Sequence, residues 1–146
     1  MNPRALENRF LAELREHGFL AEKALFSIKT LPNNRMITKR ADFFGVWDII
    51  AFRDNLAFTI QVCSGTTYDD HVRKINAEFP MTLNPAQIIV YYFKEKRMWK
   101  YTLHMRTEVG WIPVSSLQEM NSEAFSSLWA MTHPEPPIFP TKTTTF

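Results

Sequence analysis

Two apolar runs, 46–52 and 56–63, stand only three residues apart, joined by Arg53-Asp54-Asn55. A gap that short cannot hold a crossover, so the runs are predicted to be adjacent antiparallel strands of one hairpin. That pairing constrains the fold more than any other feature of the chain. Side chains alternate along a strand, so in the second run Phe58, Ile60 and Val62 face one side while Thr59, Gln61 and Cys63 face the other. In the first run an acid, Asp48, lies inside the stretch Gly45-Val46-Trp47-Asp48-Ile49-Ile50-Ala51. A carboxylate in such a setting is costly unless it is hydrogen-bonded, paired or bound to a metal.

The remaining elements follow from local chemistry. Asn2 can cap a helix whose first residue is Pro3, and Leu6, Phe10 and Leu14, widened by Leu11, give a helical stripe over 3–17 that Gly18 stops. A short apolar run at 24–28 reads as a strand, and 29–45 reads as a loop around the turn signal Pro32-Asn33-Asn34. After the turn Ser64-Gly65-Thr66-Thr67, Val72, Ile75 and Phe79 predict a helix over 68–79 that Pro80 ends. Strands are expected at 88–93 and 98–105, with a short piece at 111–114 and a last helix over 122–131 capped by Ser122. The segment from His133 holds four of the nine prolines and reads as an extended arm. The expectation is one α/β domain over 1–132, built as a helix, a three-strand antiparallel meander, a helix, a strand and a strand-rich C-terminal extension, with the arm at 133–146.

Composition narrows the class of function. At 146 residues, 45% apolar and 22% charged, the chain reads as one soluble domain with a real core. No apolar stretch reaches bilayer-spanning length, and Asn2-Pro3 opens a charged amphipathic segment rather than a leader. A single cysteine, Cys63, excludes an internal disulfide and points to a reducing compartment, the cytoplasm. The four histidines, His17, His71, His104 and His133, lack zinc spacing, and the four glycines are isolated, so neither a structural zinc site nor a phosphate-cradling loop is expected. Cys63 with His71 as base has no third member and no oxyanion-hole motif; a small buried thiol is the simpler reading.

The net charge of +2 is unevenly spread. Lys29, Arg35, Lys39 and Arg40 follow one another with no acid between them, and Lys94, Lys96, Arg97, Lys100 and Arg106 have only Glu95 among them. Such clusters suit a phosphate backbone, although a solvated surface would look the same. Tyr91, Tyr92, Phe93, Trp99 and Tyr101 interleave with the second cluster, a pattern for stacking bases. Alternating core and surface positions of a hairpin give the same pattern and are the simpler account.

Asp42-Phe43-Phe44-Gly45 through Ala51, the hairpin, and Ile60-Gln61-Val62-Cys63-Ser64-Gly65 resemble the motif region of the PD-(D/E)xK nuclease superfamily, most of all its archaeal Holliday junction resolvase-like branch. The resemblance spans 2–79. It implies a restriction-endonuclease-like fold, divalent-metal-dependent cleavage of DNA, branched DNA included, with Mg²⁺ or Mn²⁺, and a homodimer. Glu7 matches the helical glutamate and Asp48 the metal-binding aspartate, while Gln61 stands where a second acid is usual and Cys63 where a lysine is usual. Glutamine still offers a carbonyl oxygen, so Glu7, Asp48 and Gln61 are the implied metal set. Cysteine cannot supply lysine's charge, which leaves Lys74, Arg73 or Lys39 to reach the site from elsewhere. Lys29, Arg35, Lys39, Arg40 and Arg73 are the candidate DNA contacts. The alternatives are a non-catalytic nucleic-acid-binding or assembly module of the same fold, and a structural component tethered by the proline-rich arm.

Overall fold

The computed structural model describes residues 2–24, 26–40 and 42–132; the side chains of 26–29 and 37–40 lie outside that description. The first helix, α1 (Pro3–Glu16), begins as its sequence requires: the Asn2 side-chain oxygen accepts the N–H of Ala5 at 2.8 Å, and Pro3 fills the first turn. Gly18, at φ +86°, takes the left-handed conformation that ends it. Five strands follow: β1 (Leu20–Lys23), β2 (Phe26–Thr30), β3 (Met36–Arg40), β4 (Ile49–Arg53) and β5 (Leu56–Ser64). Then come α2 (Tyr68–Glu78), β6 (Ala86–Glu95), β7 (Met98–Thr107), β8 (Gly110–Val114), a 3₁₀ turn and α3 (Ser122–Thr132).

Among the described residues, six strands form one mixed sheet in the order β1-β4-β5-β6-β7-β8, while β2 and β3 pair only with each other. The expected hairpin is present, with Ile49 opposite Ile60 and Arg53 opposite Leu56. Only β5 and β6 run parallel, because α2 supplies the crossover such a pair needs. The two edges of the sheet differ. β1 has four residues, of which Leu20 is 71% exposed, whereas β8 carries an exposed proline, Pro113.

Strand alternation divides the sheet into two unlike faces. On the first, Ile49, Ala51, Phe58, Ile60, Ile88, Val90 and Leu103 meet Leu6, Phe10, Leu11 and Leu14 of α1 and Phe125 of α3. Phe58 is central there, edge-on to both Phe19 and Phe125 at 5.6 and 5.4 Å. The second face is covered by α2 through Ile75, with Val46, Trp47, Cys63 and Ile89 beneath it. Buried polar side chains gather on this second face: Asp48, Thr59, Gln61 and Gln87.

Three expectations need correction. The strand that completes the three-strand antiparallel meander is β1 at Leu20–Lys23, pairing Ala21 with Ala51, and not the run at 24–28. Residues 29–45 are not all loop, since Met36–Arg40 pairs with Phe26–Thr30 as a ribbon around the Pro32-Asn33-Asn34 turn. The cap of α3 is Asn121, whose side-chain oxygen accepts the N–H of Ala124 at 2.8 Å, one residue before Ser122. The arm at 133–146 lies outside the described residues. No helix among the described residues is long and apolar enough to cross a membrane.

Candidate functional site

Asp48 sits one residue before β4, and its backbone is held from both sides. Its N–H donates to the carbonyl of Ile60 at 3.0 Å, and its own carbonyl accepts the N–H of Ala24 at 2.8 Å. The preceding residues turn tightly at Gly45, φ +72°, and bring Trp47 down to complete burial, edge-on to Phe79 at 5.3 Å. That anchor fixes where Asp48 enters the sheet. The side chain is 4% exposed, and Oδ2 accepts two N–H groups: Nε2 of Gln61 at 2.8 Å and the backbone N–H of Val62 at 2.9 Å. The two residues that hairpin register and alternation place opposite one another are thus in direct contact.

Gln61 is also buried, and its Nε2 donates a second bond, to the carbonyl of Val62 at 3.2 Å. Two acceptors on the same atom fix the amide with its nitrogen toward Asp48. Cys63 follows two residues later on the same face. Burial, and then the charge of Asp48, pushes its thiol up to about 12, so at neutral pH it is a protonated, uncharged group. The position at which the resemblance implies a lysine therefore carries no charge of its own.

At the C-terminal end of β5 a cleft of about 130 Å³ opens between Leu6 of α1, Val62, Cys63 and Ser64, and Thr67 and His71 at the start of α2. Glu7 is buried at 3% on α1, beside Leu6, in the helix layer of the opposite face from the Asp48–Gln61 pair. The cleft is where the two layers approach each other around the strand end. His71, weighed in the sequence only as a base for Cys63 and set aside there, lies four residues before Ile75, so it extends the apolar stripe of α2. Burial, then the nearby Lys74, lowers its pKa, against the opposing charges of Asp70 and Asp42, which holds the imidazole neutral at pH 7.

The basic candidates occupy two places. Lys74 and Arg73 are exposed on α2; Lys74 lies near enough to His71 to bias its protonation, and Arg73 pairs with Asp70. Arg35 is exposed at the tip of the β2–β3 ribbon, its backbone N–H bound to the side chain of Asn33. Lys29 stands on β2 and Lys39 and Arg40 on β3, with side chains outside those described. The second basic cluster lies along the β6–β7 hairpin. There Tyr92, Trp99 and Tyr101 turn to the core side against Phe10, while Tyr91 and Phe93 face α2.

A divalent cation takes oxygen ligands. Asp48 supplies a carboxylate at the right place, and the Gln61 amide supplies an oxygen once it turns over, since its nitrogen already lies 2.8 Å from Oδ2. In that orientation two oxygens face each other, a contact that a shared cation makes favourable and that is otherwise repulsive. Asp48 and Gln61 are the residues that would hold a cation in this switched form, whereas Glu7 lies in the α1 layer on the other face of the sheet. Among the described residues, no group of three or more His, Cys, Asp and Glu stands ready to hold a metal.

No family model and no curated protein matches the chain. Among solved structures it is similar to a Holliday junction resolvase of the archaeal hyperthermophile Archaeoglobus fulgidus. The two are 16% identical over 76% of this chain and 86% of that one, with a TM-score of 0.39.

Proposed function

We propose that the chain is a nuclease-like protein of the restriction-endonuclease-like fold that acts on DNA, branched DNA included, with a divalent metal. The observation that carries this reading is the buried Asp48–Gln61 pair on facing strands, at the end of the sheet where a cleft opens between α1 and α2. A buried carboxylate beside an amide that can present either its N–H or its oxygen is an arrangement that serves metal-free and metal-bound states alike.

Asp48 and Gln61 would hold Mg²⁺ or Mn²⁺. When bound, the metal would polarise a phosphate and lower the pKa of a water. The chain's own residues do the rest. The backbone bonds on either side of Asp48 keep its carboxylate in register, and Lys74 on α2 stands in for the lysine that Cys63 does not provide. Neutral His71 in the cleft can accept a proton. DNA contacts come from Arg73 on α2 and from the ribbon with Lys29, Arg35, Lys39 and Arg40, an element of the kind a major groove admits. The same reading carries a homodimer, which sedimentation of the purified chain checks.

A second reading, a DNA-binding module of this fold without catalysis, is favoured by the uncharged thiol of Cys63 at the lysine position. One experiment separates the two. Labelled linear, single-stranded and four-way-junction DNA are incubated with Mg²⁺ or Mn²⁺, beside Asp48→Ala and Asp48→Asn. The asparagine variant keeps an oxygen acceptor for the Val62 N–H and so preserves the fold while removing the charge. Cleavage lost in both variants and with chelator supports the nuclease; DNA bound but never cut supports the module. Mn²⁺ binding followed by electron paramagnetic resonance gives a readout independent of cleavage, and binding that survives Asp48→Asn would overturn the assignment of the metal to this pair.

A further inference from the structure

One strand beyond the Asp48–Gln61 pair lies a second, larger cleft that the reading above leaves unused. It is about 390 Å³, within the size range of small-ligand sites, and is lined by Gly65, Thr66, Tyr68, Asp69, Tyr91 and His104. Its place is set by register. Tyr91 stands beside Cys63 across the parallel β5–β6 pair, and His104 lies opposite Ile89 on β7.

The walls are aromatic and fixed. Tyr68 meets Tyr91 edge-on at 5.8 Å and His104 at 5.6 Å, and Tyr91 is stacked with Phe93 at an interplanar angle of 18°. The Tyr91 hydroxyl donates to the carbonyl of Gly65 at 3.1 Å, which ties the ring to the loop between β5 and α2. Flat, partly exposed π-faces held in place at small entropic cost are what a nucleobase stacks on.

Two polar features say what kind of ligand fits. The Nδ1 atom of His104 is buried with no hydrogen-bond partner among the described residues. Burial also lowers the pKa of this imidazole, so it is neutral and offers no charge to a phosphate. Asp69, at the mouth, is followed by Asp70 in the first turn of α2. Asp70 is paired with Arg73, which leaves the Asp69 carboxylate to face the cleft; it repels a phosphate but accepts N–H donors, and the Watson–Crick edge of guanine presents two of these side by side, one for each oxygen.

We propose that this cleft takes an unpaired nucleobase of the bound DNA, with guanine preferred, packed against the aromatic wall that Tyr68 and Tyr91 form together and with its donor edge on Asp69. The proposal rests on the DNA-binding reading above and adds to it a preference for DNA that carries an extrahelical base next to the site. A base lifted from the stack would be captured one strand away from the Asp48–Gln61 centre, so an irregularity in the duplex would position the backbone beside it.

The test is fluorescence anisotropy with three labelled duplexes: fully paired, with one bulged guanine, and with one bulged thymine. Each is titrated with the wild-type chain, Tyr68→Ala and Asp69→Asn. The wild type is expected to bind the guanine bulge roughly five- to one-hundred-fold more tightly than the paired duplex, the worth of one base stacked on an aromatic side chain. Tyr68→Ala should lose that preference while binding the paired duplex as before. Asp69→Asn, an exposed position where folding is not at stake, should narrow the gap between guanine and thymine. Equal wild-type affinity for all three duplexes overturns the proposal and leaves the DNA reading standing, as does a preference that persists in both variants. No binding of any duplex overturns the DNA reading itself.

Discussion

The two faces of the central sheet are built on different terms. The α1–α3 face is a continuous apolar surface in which Phe58, Phe10 and Phe125 are completely buried. The α2 face has a smaller apolar centre and holds the buried Asp48, Thr59, Gln61 and Gln87 together with Cys63 and the half-buried His71 and His104. One strand supplies both: β5 gives Phe58, Ile60 and Val62 to the first face and Thr59, Gln61 and Cys63 to the second. Stability and chemistry are thus separated by the thickness of a single strand. A polar centre survives in the interior because the opposite face contributes most of the hydrophobic burial.

The division can be broken most severely on the first face. Phe58→Ala should lower unfolding free energy by about 3–5 kcal/mol, read by urea denaturation, because it empties the meeting point of Phe19 and Phe125. A loss below that of any substitution on the α2 face would contradict the division. Next in size is Asp48→Ala, which strands the Val62 N–H and the Gln61 amide and should cost about 1–3 kcal/mol. Asp48→Asn should recover most of that loss while still removing metal binding, so the stability and function of this residue come apart in one pair of variants.

Cys63 sharpens the comparison through pH. Its folded pKa of about 12 lies above the ordinary thiol value, so the folded chain holds the proton more tightly than the unfolded chain does. The corresponding stability is complete below about pH 8.5 and is lost as pH rises toward 12. A Cys63→Ala variant should show a shallower alkaline fall in melting temperature than the wild type; identical falls would mean the thiol is not buried on this face. The smallest effect belongs to neither face. Lys100→Ala removes a half-exposed pair with Glu95 at 3.2 Å and should change stability by about 0–1 kcal/mol.

What the sequence made legible follows the same division. The three-residue gap at Arg53-Asp54-Asn55 left one way to pair the two runs, and strand alternation then put Gln61 on the side of Asp48, where the two touch. The strand β1 was hidden because only Ala21 of its four residues is buried, so Leu20–Lys23 carries no apolar run. The β2–β3 ribbon was hidden by its own turn, since Pro32-Asn33-Asn34 and the basic residues around it look alike whether or not the flanks pair. In the candidate site, His71 and His104 had no motif around them, and only the packing of α2 on the sheet gathers them. The aromatic run at 91–101 was half legible: alternation sorts Tyr92, Trp99 and Tyr101 into the core, and α2 then covers Tyr91.

The unlike edges of the sheet have a consequence for assembly in crowded solution. Pro113 has no N–H to offer on the outer side of β8, which seals that rim against a foreign strand. The other rim, β1, is short, and the carbonyl of its Ala21 already accepts two N–H groups of the Arg15 guanidinium, at 3.2 and 2.8 Å. Among the described residues each border of the sheet is thus blunted, one by a proline and the other by its shortness and an arginine, and neither offers a long unpaired template to another strand.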